Sequence, residues 1–333
     1  MAEKIFLTGI KPTGEPHLGN FLGAIKPALD LAKNNPNSKK YFFIADQHAL
    51  TSIKNQHTMH SYRYNIAATW LSFFENIDNC YFYFQSQIPE IFELYWILSC
   101  FCPKGLLNRA HAYRALVANN LSNNHDEDRQ INQGVFSYPV LMAADILLFQ
   151  STHVPVGIDQ KQHIEIAIEL ARHLNHSLSE NIPLPQPVIN ENTELIIGLD
   201  GQKMSKNYNN TLPIFLSGKE LKKKIGKIQT DSTELGQPLD WENCNVFKIY
   251  GYLATDQQRL VLKEKYISGK IGYGHAKNEL FQLYEDFFSE YKDRFDFFLN
   301  HPKTIDKYIS NGYRKASEVA HKNLAKIKTE LGF

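Results

Sequence analysis

Short, continuous apolar runs alternate with longer helical patterns through the first 200 residues of the chain. Residues 5–7, 41–45 and 81–84 are predicted to be buried strands, because they lack the polar–apolar alternation of a half-exposed sheet. Between these runs, residues 58–75 and 90–101 carry mixed aromatic and aliphatic faces. This alternation of strand and helix predicts an α/β fold with a doubly wound parallel sheet, similar to a Rossmann fold.

A further amphipathic helix is predicted over residues 160–175. Its apolar stripe at helical spacing is formed by Ile164, Ala167, Ile168, Ala171 and Leu174. After residue 207 the pattern changes to helices without further strand candidates. Their predicted ranges, bounded mainly by glycines that include Gly312, are 215–228, 256–268, 275–298, 304–311 and 313–331.

These patterns predict a second, all-helical domain after the α/β domain. The expected boundaries are residues 1–207 for the α/β domain, 208–312 for the helical domain, and 313–333 for a C-terminal helix. The last helix is expected to pack back on the first domain. No internal repeat at a fixed period and no low-complexity tract interrupts this organisation.

Composition describes an ordinary globular chain of 333 residues with 43% hydrophobic and 21% charged residues. The sequence has no apolar stretch of the roughly 18 to 20 residues that a membrane span requires, and it does not start like a signal peptide. A cytoplasmic location and no membrane association are therefore expected. Free thiols are expected, because the spacing of the cysteines matches no zinc or iron–sulfur motif. The cysteines are Cys80, Cys100, Cys102 and Cys244.

The net charge of the chain is only +1, but its two parts differ in sign. Residues 1–200 hold 14 Lys and Arg against 19 Asp and Glu, whereas residues 201–333 hold 22 against 16. The second half is therefore a candidate for binding a polyanion. A lysine cluster in this half is either part of such a surface or a solvated helix face. Its members are Lys222, Lys223, Lys224 and Lys227.

Two short segments carry the strongest chemical signal. Residues 16–20 (Pro-His-Leu-Gly-Asn) follow an apolar run and a Gly/Pro turn, as expected where a strand leads into a helix N-terminus. Backbone N–H groups at such a turn can face a phosphate. Residues 203–207 (Lys-Met-Ser-Lys-Asn) place two lysines on a loop near Gly198 and Gly201. The structural alternatives are a capping turn with a surface histidine and an exposed charged loop.

Together the two segments resemble the signatures of class I aminoacyl-tRNA synthetases, whose usual forms are HIGH and KMSKS. In that interpretation, His17 and Asn20 donate hydrogen bonds to phosphate oxygens. Lys203 and Lys206 stabilise the pyrophosphate leaving group in the transition state.

An aspartate stands inside an otherwise apolar helical segment, residues 138–148. A buried carboxylate is costly unless a partner satisfies it. Asp145 is therefore expected either to cap or pair with a basic residue, or to accept the N–H of a ligand that lies against Met142. An indole would suit the second case, since it offers one donor and a large apolar face.

The next segment, residues 153–163, combines a short apolar strand with a polar helix start. Val154 and Val156 are expected on one face of the strand, and Gly157 allows backbone to approach a ligand. Asp159 is predicted to be a helix N-cap, which also leaves it able to accept from a ribose hydroxyl. Gln160 is a candidate for the ammonium or carboxylate group of an amino acid.

Residues 138–148 and 154–163 together resemble the tryptophanyl-tRNA synthetase family, with further matches at residues 230–232 and 272–274. The resemblance extends over nearly the whole chain. It implies a homodimeric enzyme that makes tryptophanyl-adenylate from L-tryptophan and ATP with Mg²⁺, and then transfers tryptophan to tRNA(Trp). Residues 208–312 would be its tRNA anticodon-binding domain.

The resemblance also implies a role for individual residues. The tryptophan pocket would be lined by Leu7, Met142, Asp145, Val154, Val156 and Gln160. The ATP site would comprise Lys11, Thr13, His17, Gly19, Asn20, Gly157, Asp159, Lys203, Met204, Ser205 and Lys206. The catalytic residues would be Lys203, Lys206, His17, Asn20 and Arg114, with no metal ligand from protein side chains.

Four positions depart from the usual family pattern. Asn207 replaces the last serine of the signature, Ile158 replaces a glutamate, Lys11 replaces a glutamine, and Arg114 replaces an ATP-contacting lysine. Arginine keeps the charge but presents a planar fork. The alternatives are a tyrosyl-tRNA synthetase, a non-catalytic tRNA-binding or regulatory paralogue, and a small-molecule nucleotidyltransferase.

Overall fold

The computed structural model describes residues 3–189 and 196–333. Its strands are β1 (Ile5–Ile10), β2 (Lys39–Ile44), β3 (Cys80–Phe84), β4 (His153–Pro155) and β5 (Gln186–Val188). They form a parallel sheet in the order β3-β2-β1-β4-β5. The strand order reverses between β1 and β4, as in a doubly wound sheet. The predicted fold class is therefore confirmed.

Helices flank the sheet and make up most of the second half of the chain. The short first helix α1 continues as a π-helical segment, Phe21–Ile25, and a 3₁₀ turn, Ile158–Gln160, precedes α9. The α-helices are α1 (Leu18–Asn20), α2 (Lys26–Asn34), α3 (Asp46–Ala49), α4 (Gln56–Phe74), α5 (Glu90–Phe101), α6 (Lys104–Asn108), α7 (His111–Ser122), α8 (Gln133–Leu148), α9 (Lys161–Asn175), α10 (Gly218–Gly226), α11 (Asn245–Gly251), α12 (Asp256–Ile267), α13 (Tyr273–Asn300) and α14 (Pro302–Glu330). No helix in these described ranges is long and apolar enough to cross a membrane.

Two compact units divide the chain, and neither is continuous in sequence. The sheet unit comprises residues 1–14, 26–190 and 298–333, and the lysine-loop unit comprises residues 15–25 and 191–297. The sheet unit therefore contains every strand named above together with α14. The boundaries predicted at residues 207 and 312 stay a prediction.

The three strands predicted from apolar runs are confirmed and are buried along most of their length. Their register pairs Ile5 with Lys39 and Lys40 with Cys80. Aromatic side chains fill the space beside β2, where Phe42 packs on Phe74 with ring centroids 4.3 Å apart. The sheet is thus a buried, rigid support for the loops at its edges.

The C-terminal region differs from the two predicted helices, because residues 302–330 form one continuous helix, α14. Gly312 lies in its interior and is buried against β3. A Cβ at this position would lie 2.1 Å from the carbonyl oxygen of Phe82. The glycine therefore allows close packing of helix on strand, and its interpretation as a helix end was wrong.

This packing predicts that Gly312→Ala destabilises the sheet unit by about 1–3 kcal/mol, because the added methyl group forces α14 away from β3. Gly274→Ala is the matched control, since a Cβ there meets nothing within 4 Å. Thermal unfolding of the two variants provides the comparison. Equal melting temperatures would show that α14 adjusts without cost.

The other differences concern short elements. The predicted helix over residues 215–228 is limited to Gly218–Gly226, and α11 was not predicted. Strand β4 ends at Pro155, so that Val156 lies one residue beyond it. The Val156 N–H still donates to the Val188 carbonyl at 3.2 Å, which continues the pairing with β5.

Candidate active site

The carboxyl ends of the parallel strands bring polar residues to one edge of the sheet. Lys11 follows β1, His48 lies shortly after β2, Gln85 follows β3, and Gly157 lies two residues after β4. Ligands bind at this edge in doubly wound sheets, close to the point where the strand order reverses. The edge next to β1 and β4 is therefore the expected position of a site.

Asp145 on α8 is fully buried and has two side-chain partners near this edge. His48 Nε2 lies 2.9 Å from its Oδ2, and Gln85 Nε2 donates to Oδ1 at 2.8 Å and to Oδ2 at 2.9 Å. Burial raises the pKa of Asp145, while the hydrogen bonds from His48 and Gln85 oppose the rise. The carboxylate is thus held in a fixed orientation.

His48 is the basic partner of Asp145, which the sequence alone did not identify. Sequence analysis did not identify His48 or Gln85. Both residues follow the carboxyl ends of predicted strands, which is the signal that would have found them. Acceptance of a ligand N–H by Asp145 remains a prediction.

A second polar chain connects α8 with α9. The Tyr138 hydroxyl lies 2.5 Å from His163 Nε2, and His163 Nδ1 lies 2.8 Å from Gln160 Oε1. Gln160 Nε2 in turn donates to Asp159 Oδ2 at 3.0 Å. Burial raises the pKa of Tyr138 to about 12 and lowers the pKa of His163 to about 4, so both groups are neutral near pH 7. The Gln160 amide is therefore fixed from both sides.

Asp159 does not have its predicted role as an N-cap. It lies within the 3₁₀ turn, and the residue that caps α9 is Gln160, without a side-chain capping bond. The Asp159 side chain bonds Gln160 instead and is exposed. The prediction was wrong because the 3₁₀ turn delays the start of the α-helix by one residue, to Lys161.

The apolar residues predicted for the amino acid pocket share one core. Leu7, Val154 and Val156 are buried in it, and Met142 is partly buried against it. Asp145 lies on the same helix as Met142, one turn further on. The structure thus places a bonded carboxylate beside an apolar surface.

The remaining predicted residues of the sheet unit are more exposed. Lys11 Nζ donates to Thr51 Oγ1 at 2.8 Å, and the Thr13 N–H donates to the Lys11 carbonyl. Arg114 is exposed on α7. A Cβ at Gly157 would lie 2.7 Å from Asp159 Oδ1, so any side chain there would displace the aspartate.

The lysine-loop unit holds the other predicted group, beginning with His17 at the N-terminus of α1. The His17 N–H donates to Asn20 Oδ1 at 3.1 Å, so that oxygen caps the helix. Both the His17 ring and Met204 lie close to Gly19, since a Cβ there would be 3.0 Å from the ring and 3.6 Å from the Met204 sulfur. The two signature segments therefore approach each other at Gly19.

His17 is a buried residue, in contrast to the surface histidine that the sequence left as an alternative. Its Nδ1 is buried without a hydrogen-bond partner in the part of the chain that the structure describes. Folded proteins rarely leave a buried polar atom unpaired. Burial first, and then the charge of Lys206, lower its pKa to about 4. The imidazole is therefore neutral near pH 7.

We expect His17 to cost the protein stability in acid. The unfolded chain takes up this proton near pH 6.5, so the stabilising contribution is complete above that pH and is lost as the pH falls towards 4. The loss amounts to at most ~3 kcal/mol. Histidine Cε1–H NMR signals, assigned with His17→Asn, provide the measurement. A titration midpoint near pH 6.5 for His17 would show that folding does not lower its pKa, and the expected loss of stability would then not occur.

The loop of Lys203 to Lys206 presents its charges outward. Lys203 pairs with Ile197 in an antiparallel bridge, and Lys206 begins a 3₁₀ turn. Both lysine side chains are exposed, while Met204 between them is buried. The side chain of Asn207 lies outside what the structure describes. The buried methionine fixes the loop, and the exposed lysines remain available to a ligand.

The predicted residues thus fall into two groups. One group lies in the sheet unit and comprises Leu7, Lys11, Thr13, Arg114, Met142, Asp145, Val154, Val156, Gly157, Asp159 and Gln160. The other lies in the lysine-loop unit and comprises His17, Gly19, Asn20, Lys203, Met204, Ser205 and Lys206. Within each unit the structure shows the contacts described above.

Known proteins are similar to this chain over nearly its whole length. The family described as tRNA synthetases class I (W and Y) matches residues 2–289. A tryptophan–tRNA ligase of Campylobacter jejuni is 42% identical over 98% of this chain and 99% of its own length. That of Pseudomonas aeruginosa is 41% identical over 98% of this chain and 73% of its own length.

A solved structure gives the same result. The crystal structure of the C. jejuni tryptophanyl-tRNA synthetase complexed with ADP and tryptophan is similar with a TM-score of 0.86 and 40% identity. The similarity covers 99% of this chain and 100% of that one. The family match and the near-full-length relatives show that the chain belongs to the tryptophanyl-tRNA synthetase family of class I aminoacyl-tRNA synthetases.

Proposed function

We propose that the protein is a tryptophan–tRNA ligase, which activates L-tryptophan with ATP to tryptophanyl-adenylate and transfers tryptophan to tRNA(Trp). The near-full-length similarity to tryptophan–tRNA ligases carries this proposal. The fixed carboxylate of Asp145 beside apolar side chains and the exposed lysine pair support it. A module that only binds tRNA has no need for such a lysine pair.

Tryptophan activation requires no general base, because the attacking amino acid carboxylate is already ionised at neutral pH. It attacks the α-phosphate in line, which forms the adenylate and releases pyrophosphate. The protein must position the two substrates and offset the charge that develops on the leaving group. We assign that second role to Lys203 and Lys206, with Arg114 as a further cation.

Neutral donors complete the proposed phosphate site. His17 is neutral near pH 7, so it can donate one hydrogen bond without adding charge. Asn20 uses its amide oxygen as a cap, which leaves its amide nitrogen as the donor. Lys11, Thr13, Gly19, Gly157, Asp159, Met204 and Ser205 are proposed as further ATP contacts.

For the amino acid, we propose that Asp145 accepts the indole N–H. Met142, Leu7, Val154 and Val156 supply the apolar surface, and Gln160 binds the backbone end of tryptophan. The orientation of Gln160 by His163 supports this assignment, because a fixed amide loses less entropy when it binds.

The available side chains determine how Mg²⁺ could be held. Among the described residues no group of three or more His, Cys, Asp or Glu side chains is arranged to hold a metal ion. We propose that Mg²⁺ arrives with ATP, bound by phosphate oxygens and water, as this cation commonly is. It would then neutralise charge on the phosphates.

We also propose that the protein is a cytoplasmic homodimer, as the family resemblance implies.

An aminoacylation assay with all twenty amino acids tests the function directly. We expect tryptophan-dependent exchange between ATP and pyrophosphate, followed by charging of tRNA(Trp). Exchange with tyrosine would identify a tyrosyl enzyme instead. Absence of exchange together with tRNA binding would identify a non-catalytic paralogue.

We expect the lysine cluster at the end of α10 to contribute to tRNA binding. Lys224 is half-buried, and the other members of the cluster are exposed, namely Lys222, Lys223 and Lys227. Removing the charge at positions 223, 224 and 227 together should weaken tRNA binding and lower the salt slope by about 2 to 3, because fewer counterions are released. Adenylate formation should stay unchanged.

A matched control removes three exposed charges from α14, at Lys303, Lys307 and Lys322. Binding measured by filter retention at several salt concentrations compares the two triple variants. Equal affinities and slopes in wild type and the α10 variant would make this cluster a solvated helix face.

A further inference from the structure

Asn210, seven residues after the first signature lysine, is a buried amide with 3% of its surface exposed. The Ser205 N–H donates to its Oδ1 at 2.8 Å. Its Nδ2 donates to Asp200 Oδ1 at 2.8 Å and to the Lys203 carbonyl at 3.0 Å. One side chain therefore bonds the backbone at two successive points of the lysine loop.

The surrounding backbone is built around this amide. The Leu199 N–H donates to the Asn210 carbonyl at 2.9 Å, and a Cβ at Gly198 would lie 2.4 Å from the Asn210 side chain. Asp200 Oδ1 also accepts the Gln202 N–H at 3.0 Å, so this oxygen accepts from both the Gln202 backbone and the Asn210 side chain. The hydrogen bond from Asn210 is the main cause that lowers the pKa of Asp200.

These contacts determine the path of residues 203–206. Between the bonded Lys203 carbonyl and the bonded Ser205 N–H lies Met204, whose side chain is buried. The lysine side chains on either side are exposed. The position of both charges thus depends on a backbone that the Asn210 amide holds.

We propose that Asn210 is a positioning residue, which fixes the backbone of residues 203–206 so that Lys203 and Lys206 are presented to the phosphates of ATP. Asn210 itself touches neither substrate. The proposal rests on the function proposed above, because it concerns the rate of the activation step. Misplacement of a catalytic group by about 1 Å can cost on the order of 100-fold in rate.

The test compares Asn210→Ala, Asn210→Asp and the double variant Asp200→Asn/Asn210→Asp, with Asp200→Asn alone as the matched control. The Ala variant should lower kcat for tryptophan-dependent ATP–pyrophosphate exchange by about 10- to 100-fold. Tryptophan affinity, measured by calorimetry, should stay within about twofold. The control retains an oxygen that can accept from Asn210 and should exchange nearly as fast as the wild type.

Asn210→Asp places two carboxylates side by side, so that they favour sharing one proton. Its exchange rate relative to wild type should therefore rise as the pH is lowered from about 8 to 6. Adding Asp200→Asn supplies a donor to the new carboxylate and should restore part of the activity at the higher pH. A purely structural role in stability would produce neither the pH profile nor this rescue.

Limited trypsin digestion gives a readout that does not depend on activity. Cleavage after Lys203 and Lys206, followed by mass spectrometry, should be faster in Asn210→Ala than in wild type and in the control. Unchanged cleavage with unchanged kcat would overturn the proposal, as would an equal loss of tryptophan affinity. A wild type without exchange would refute the proposed function alone, and the digestion would still decide whether Asn210 holds the loop.

Discussion

Replacing Lys206 by Ala is expected to lower the rate of tryptophan-dependent ATP–pyrophosphate exchange by about 10²- to 10³-fold, which is typical for the loss of one preorganised group that stabilises transition-state charge. Lys206 is exposed at the start of a 3₁₀ turn, so its removal leaves no cavity. Because Lys206 acts on the leaving group, kcat should fall while tryptophan affinity stays nearly intact. Lys203→Ala should behave in the same way.

Lys219→Ala is the matched control, since it removes an exposed lysine from the same unit at the start of α10. Exchange kinetics and calorimetry with tryptophan are measured for all three variants. A collapse of tryptophan affinity in the Lys203 and Lys206 variants would show that the loop is structural and has no specific role in the transition state.

Asp145→Ala is expected to lower kcat/KM for tryptophan by about 10- to 100-fold, since a hydrogen bond to a charged acceptor is worth ~1.5–3 kcal/mol. The KM for ATP should change far less. The substitution also leaves His48 and Gln85 without their partner, which adds a cost in stability.

Asp145→Asn separates the two effects, because it keeps the volume of the side chain and still offers an oxygen as acceptor. We expect its melting temperature to lie closer to wild type than that of the Ala variant, with tryptophan use still impaired. Unchanged kcat and KM for tryptophan in both variants would remove Asp145 from the pocket.

The sequence predicts those features that depend on neighbouring positions along the chain. Strands β1, β2 and β3 are visible as apolar runs, since a strand buried on both faces needs no polar alternation. Asp145 is recognisable as anomalous for the same local reason, as a carboxylate in an apolar helix. The two signature segments of the lysine-loop unit are also recognisable from the sequence, and the structure brings His17 and Met204 close to Gly19.

Features that depend on distant partners were missed or misread. His48 is 97 positions from Asp145 and Gln85 is 60 positions away, so no local pattern connects them. Gly312 looks like a helix end because its packing on Phe82 is a tertiary contact. Asn210 looks like one residue of a polar loop, although its side chain makes three hydrogen bonds in the folded chain.

The packing of α14 on β3 has a consequence for synthesis on the ribosome. Strand β3 is complete once residue 84 has been translated, but the helix that covers it is encoded more than 200 residues later. During that interval the apolar face of the strand stays uncovered, which is the condition under which nascent chains aggregate or recruit chaperones. Translation of residues 302–330 therefore completes the core of the sheet unit, and a ribosome that stalls before them leaves a chain with an exposed β3.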